Sequence, residues 1–158
     1  MERNEQQGPA SGVTAHLVIR DRRATQAIDF YKAAFGAREL ARQPSDDGRI
    51  MHCHLLVNGG SLMLNDDFPE YRGRAAGEPE GVTLHLQVSD ADALWTKAID
   101  AGATVTMALE DQFWGDRYGQ LQDPFGHRWS IATHLRDMTP QEIQDEMAKQ
   151  MPGGCGNS

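Results

Sequence analysis

"VTAHLVIRD" at residues 13–21 and "VTLHLQVSD" at residues 82–90 share Val, Thr, His, Leu and Asp at a constant offset of 69 positions. Both stretches carry the aliphatic and β-branched residues of a strand, and period-two alternation sets His16 and His85 on the opposite face from their immediate neighbours. Each runs into a segment whose apolar residues recur at helical spacing: Ala24, Ala27, Ile28, Tyr31 and Phe35, then Ala91, Leu94, Trp95, Ala98 and Ile99. Gly36-Ala37 and Gly102-Ala103 close these helices, because glycine takes the left-handed conformation after a final turn at no steric cost. The distance from strand to stop is three residues less in the second copy, which predicts a second helix three residues shorter.

Further short strands follow each stop: "ELARQ", "RIMHCHLLV" and "SLMLN", then "TVTMAL", "YGQLQD" and "HRWSIAT". The expectation is an α+β fold of two βαβββ units, over 13–66 and 81–136, sharing one body of 158 residues. Between them "DDFPEYRGRAAGEPEG" is polar and rich in Gly and Pro, so residues 67–80 read as a linker. Residues 1–12 lack the apolar core of a signal peptide and read as a disordered leader. "TPQEIQDEMAKQM" supplies Thr139 as N-cap, Pro140 at the first helical position and Glu142 for a capping box. That predicts a C-terminal helix over 137–151, followed by a flexible tail over 152–158. Its apolar stripe of Ile143, Met147 and Met151 is narrow, so it should lie on a surface of its own subunit or a neighbouring one.

Composition removes several classes of function. With 23 acidic against 15 basic side chains the net charge is −8, and no Lys/Arg cluster is present to neutralise phosphates, which argues against nucleic acid. No apolar run approaches the roughly 20 residues of a membrane-spanning helix. Cys53 and Cys155 are the only cysteines, so neither a disulfide framework nor a CxxC metal site can form, and a reducing cytoplasm is the expected location.

"FWGDRYGQLQDPFGHRWSIATH", residues 113–134, concentrates aromatic and polar residues. Its "DPFG" fits a type I turn, with Asp123 first, Pro124 next and Gly126 last, a structural assignment. In the strand after the turn, Trp129 and Ile131 share one face, while Ser130, Ala132 and His134 share the other. Trp114, Arg117 and Gln120 are candidates for the wall of a ligand site. Arg117 has the geometry to clamp a carboxylate or phosphate, or to pair with Asp116, and an isolated surface pair contributes only about 0–1 kcal/mol. In "IMHCHLL" His52 and His54 share one face, and Met51, Cys53 and Leu55 the other.

The duplicated unit, "AIDFYKAAFGA" in the first helix and "DPFGHRW" near the end together resemble the glyoxalase/bleomycin resistance, or vicinal oxygen chelate, superfamily over residues 12–137. "SLMLND", "VTLHLQVSD" and "MTPQEI" are most similar to its PhnB-like branch. The resemblance implies that each unit curls a four-stranded sheet into half of an open barrel, that paired halves enclose the site, and that the protein is a homodimer. It also implies a divalent metal with two ligands from each half. His16 and His85 fall on the first-strand ligand position, with Thr14 and Thr83 the alternatives two residues earlier. The usual glutamate after "DPFG" falls on Ser130, and residues 62–65 hold no carboxylate.

Two classes of function follow. One is a small-molecule-binding protein, acting by sequestration, whose cavity is lined by His16, His85, Trp114, Arg117 and Gln120, each imidazole donating from one nitrogen and accepting at the other. The alternative is a metal-dependent lyase, isomerase or dioxygenase of the glyoxalase I type. There His16 and His85, with a further ligand from His52, His54 or His134, would hold Zn, Ni, Mn or Fe. The departure at Ser130 favours the first.

Overall fold

Two four-stranded mixed sheets, each covered on one face by a helix, make up the computed structural model, which describes residues 8–150. The first seven residues of the expected leader, Met151 of the C-terminal stripe, and the tail with Cys155 lie outside the described residues. The first unit runs β1 (Ala15–Ile19), α1 (Ala24–Phe35), β2 (Arg38–Pro44), β3 (Ile50–Val57) and β4 (Gly60–Asp66), with strand order β1-β4-β3-β2. A short helix α2 (Pro69–Arg72) follows. The second unit runs β5 (Thr83–Gln87), α3 (Ala91–Ala101), β6 (Thr104–Asp111), β7 (Asp116–Gln122) and β8 (Arg128–His134), in the order β5-β8-β7-β6. Helix α4 (Pro140–Gln150) ends the described chain.

In each unit the first and last strands pair in parallel and the other neighbours antiparallel. A parallel pair needs a crossover, and in the first unit the chain from α1 through β2 and β3 provides it. Alternation along the strands divides each sheet cleanly. Leu17, Ile19, Cys53, Leu55, Leu62 and Leu64 are buried under α1, whereas His16, His52, His54 and Met63 occupy the other face. In the second unit Leu86, Leu121, Trp129 and Ile131 face α3, and His85, Gln120 and Ser130 occupy the open face.

The two units close on a shared core. Helices α1 and α3 pack together, and Phe30, Tyr31 and Phe35 meet Phe125 and Trp129, with the Phe35 and Trp129 ring centroids 4.6 Å apart. Equivalent polar links cross between the units. Asn58 Nδ2, in the β3–β4 turn, donates to the Gln87 carbonyl at 3.0 Å, and His127, in the β7–β8 turn, donates to the carbonyl of Val18. Val18 and Gln87 are themselves related by the offset of 69.

The expected difference in helix length is corrected by the structure: α1 has 12 residues and α3 has 11. The other two residues belong to the loop between β1 and α1, where Asp21 (φ 62°) and Arg22 (φ 58°) both take left-handed backbone. Both helix starts are held by the final residues of the last strand. The Ala24 amide donates to Asp66 Oδ1 at 2.9 Å, and the Ala91 amide to Thr133 Oγ1 at 2.7 Å.

Residues 67–80 are more ordered than their composition suggests. Pro69 opens α2, Gly73 ends it with φ 80°, and Phe68 is buried with the Arg49 guanidinium 4.1 Å above its ring. At α4 the Glu142 amide donates to Thr139 Oγ1 at 3.1 Å, as the capping sequence predicts. None of its described side chains is buried. Among the described residues no helix is long and apolar enough to cross a membrane.

Candidate functional site

On the open face of the second sheet, strand register lines up His85, Ser130, Gln120 and Met107 across β5, β8, β7 and β6. His85 Nδ1 lies 2.7 Å from Ser130 Oγ and Nε2 lies 2.8 Å from Gln87 Oε1. Because an amide oxygen only accepts, Nε2 carries the proton and Nδ1 receives the serine hydroxyl. Tyr118 shares this face: its ring stacks on His85 at 6.0 Å, and its hydroxyl accepts from Gln120 Nε2 at 3.0 Å. Trp114, in the β6–β7 turn, meets Tyr118 edge-on at 5.4 Å and Phe113 at 5.1 Å. His85 is exposed and Ser130 beneath it only 2 % exposed, so a polar floor carries an aromatic wall.

The equivalent row of the first sheet is His16, Met63, His54 and Ala41. His16 Nε2 donates to Asn65 Oδ1 at 3.1 Å, and His54 Nε2 is 2.9 Å from Ser61 Oγ. The His52 ring lies 6.4 Å from that of His16, and burial together with the neighbouring His16 and His54 holds its pKa below the ordinary histidine value. Cys53, on the helix-facing side, is no nucleophile: burial pushes its thiol up to about 11.

Of the residues expected to line a site, His85, Trp114 and Gln120 gather around Tyr118, and His16 occupies the matching position on the other sheet. Arg117 does not join them. It points from β7 toward α3, donating to both carboxylate oxygens of Asp92 at 2.9 and 3.0 Å and to Asp111 at 3.0 Å, and not to Asp116. Asp116 is taken by His134, whose second ring nitrogen meets Asp137. Those two carboxylates raise the His134 pKa.

The donor sets do not suit a divalent metal. The last-strand residues beside His16 and His85 are Met63 and Ser130, a thioether and a neutral hydroxyl, where Zn, Ni, Mn or Fe call for imidazole, carboxylate or thiolate. Among the described residues no group of three or more His, Cys, Asp or Glu side chains is arranged to hold an ion.

Tyr118, the centre of the aromatic wall, lies two residues before Gln120, and period-two alternation from Gln120 would have marked it. Gln87 was open to the same argument from His85. Asn65 and Met63 meet His16 only through the register of β1 on β4, which no local pattern encodes.

A family model described as the glyoxalase/bleomycin resistance protein/dioxygenase superfamily matches residues 14–131. The uncharacterised protein Mb0911c of Mycobacterium bovis is 48 % identical over 146 residues, covering 89 % of this chain and 95 % of its own. Among solved structures, TioX from Micromonospora sp. ML1 is 30 % identical with a TM-score of 0.62, covering 78 % of this chain and 100 % of its own. The Arabidopsis thaliana At5g48480 product is also 30 % identical with a TM-score of 0.62, over 77 % of this chain and 98 % of its own. A PhnB protein from Bacillus cereus, 17 % identical with a TM-score of 0.63, shares the fold.

Proposed function

Because the chain belongs to the glyoxalase/bleomycin resistance protein/dioxygenase superfamily, we propose that it binds and sequesters a small organic molecule on the open face of the second unit. The residues in contact would be His85, Tyr118, Gln120 and Trp114. The observation that carries this reading is that Met63 and Ser130, neither of them a carboxylate, stand beside the two first-strand histidines. With both His85 nitrogens engaged by Ser130 and Gln87, the imidazole is fixed in orientation and offers its ring, stacked with Tyr118, as a floor. Tyr118 and Trp114 offer aromatic faces to a planar ligand, and the net charge of −8 favours a neutral or cationic one at this wall.

A cytoplasmic homodimer is part of the same reading. The open second sheet is edged by β6, whose Val105 and Met107 are exposed, and α4 exposes Met147. A second copy seated there would enclose the ligand.

The alternative, a metal-dependent lyase, isomerase or dioxygenase, draws on His16 and His52, whose rings are close, with burial and then the neighbouring His16 favouring the neutral form of His52. Metal content of protein purified without a chelating step separates the two. Stoichiometric Zn, Ni, Mn or Fe that disappears in His16→Ala/His85→Ala would overturn the sequestration reading. Metal-free protein, with a compound library producing fluorescence quenching that is lost in Trp114→Phe and Tyr118→Ala, supports it.

A further inference from the structure

Among the described residues two buried side-chain nitrogens have no hydrogen-bond partner, Arg20 Nε and His127 Nε2. Both stand at the seam between the two units. The His127 ring donates to the Val18 carbonyl near the end of β1; burial holds its pKa below the ordinary histidine value against the Asp123 charge that raises it, and the Arg20 guanidinium is near enough to add to the lowering. At Gly126, in the turn before β8, an added Cβ would come within 3.2 Å of Pro79 Cδ, so the glycine lets Pro79 pack over the turn, with Arg20 Nη2 in the same neighbourhood.

A chamber of about 110 Å³ opens at this point, lined by Arg20, Gln122, Gly126 and Arg128 together with Glu78, Pro79 and Glu80. It adjoins a groove of about 390 Å³ between β1 and β5, which Arg128 also lines, here together with His127, His16, Arg72 and Leu84. Neither space is lined by His85, Ser130 or Tyr118.

The charges here are uncommitted. Elsewhere Arg22, Arg42, Arg49, Arg72 and Arg117 are each paired with a carboxylate. Arg20 and Arg128 have no ion pair among the described residues, although exposed Glu78 and Glu80 line the same chamber. In a chain of net charge −8 two arginines left unpaired at one cavity invite an anion, because a guanidinium fork matches the oxygens of a carboxylate or phosphate.

We propose that this seam is a second binding site, in which Arg20 and Arg128 hold the carboxylate or phosphate group of a small molecule whose body occupies the adjoining groove, where His127 stands beside it. The chamber has room for one oxyanion group, being about three to four times the 30 Å³ share of a liquid water. His127 lines the groove beside Arg128, with one ring nitrogen committed to Val18 and Nε2 buried without a partner, so its ring reports on occupancy of the seam.

The site goes beyond the aromatic surface proposed above and is read by different groups. Full-length labelled protein is titrated with inorganic phosphate and separately with acetate, with chloride replaced to hold ionic strength constant, and the His127 ring signals are followed by NMR. The expected result is a saturable shift with at least one of the two anions, its apparent affinity falling at least tenfold in Arg128→Gln and unchanged in Arg117→Gln. Which anion saturates at lower concentration assigns the headgroup. Absence of a saturable shift with either anion, or an undiminished one in Arg128→Gln, overturns the proposal. Arg128 is exposed, so its substitution tests the charge without disturbing the core; Arg20→Gln is the second variant, checked for an intact amide spectrum, and is expected to weaken binding at least tenfold too.

Discussion

Tyr31 on α1 donates its hydroxyl to Asp123 Oδ2 at 2.6 Å, tying the helix of the first unit to the last turn of the second. The same carboxylate accepts from the amides of Phe125 and His127, both at 2.9 Å, and from Trp129 Nε1 at 3.0 Å. Four donors meet one carboxylate that is 4 % exposed, so the cost of burying its charge is offset by charge-assisted hydrogen bonds. The "DPFG" turn is therefore a clasp between the halves, built from the same residues that close the final hairpin.

Tyr31→Phe should lower stability by about 1–3 kcal/mol at neutral pH, since it leaves a buried carboxylate short of one donor. Burial first, and then the Asp123 charge, raise the Tyr31 pKa well above 10.0. A group whose folded pKa is raised contributes stability that is intact below its unfolded value and lost as pH climbs through the folded one. Urea unfolding should thus show wild-type stability declining above pH 10.0 with a component missing in Tyr31→Phe. Parallel alkaline profiles for the two proteins would contradict the assignment.

Gly119 sits mid-strand in β7 where a Cβ would come within 2.7 Å of Trp95 Cη2 and Cζ3 and 2.8 Å of Leu109 Cα. Backbone on one side and a packed indole on the other leave no direction for relief, so Gly119→Ala should cost about 1–3 kcal/mol as overpacking. Thermal melting that places the variant within experimental error of wild type would show that α3 shifts freely.

His134 bridges Asp116 at 2.9 Å and Asp137 at 2.7 Å, which requires a proton on each ring nitrogen. The hydrogen bonds to Asp116 and then Asp137 raise its pKa from 6.5. The bridge is complete below the unfolded value of 6.5 and is lost as pH rises through the raised folded one. In an NMR titration Asp116→Asn and Asp137→Asn should each move the His134 midpoint back toward 6.5; an unmoved midpoint in both rules the bridge out.

Asp66 and Thr133 hold equivalent helix starts with different reach. Asp66 accepts from Ala24 with one oxygen and from Ile50 with the other, whereas Thr133 serves Ala91. Thr133→Val should cost about 0.5–2 kcal/mol, the range for a lost N-terminal cap. Asp66→Ala should cost more, because it strands a second buried amide. Denaturant midpoints compared on one protein preparation give the order directly.

Local chemistry made much of this molecule readable in one dimension. The offset repeat, the apolar spacing of Tyr31 and Phe35, the glycine stops, and Thr139 before Pro140 each act over a few residues, and the duplicated α+β unit follows from them. Alternation also separated Trp129 from Ser130, and the structure puts the first against the helices and the second on the open face. The same rule explains why Arg117 turned away from its sequence neighbour: adjacent strand residues point to opposite faces, so Arg117 finds Asp92 on α3, 25 positions distant.

Tertiary structure decided what register and the packing of one unit on another decide. His85 gained Ser130 through β5 pairing on β8, and His16 gained Met63 and Asn65 through β1 pairing on β4. Those partners set the character of each histidine, and they come from strands 45 or more residues along the chain. The seam that leaves Arg20 Nε and His127 Nε2 unpartnered exists only where two units meet, since it is the closing of the core around Tyr31 and Asp123 that brings β1 alongside the turn before β8.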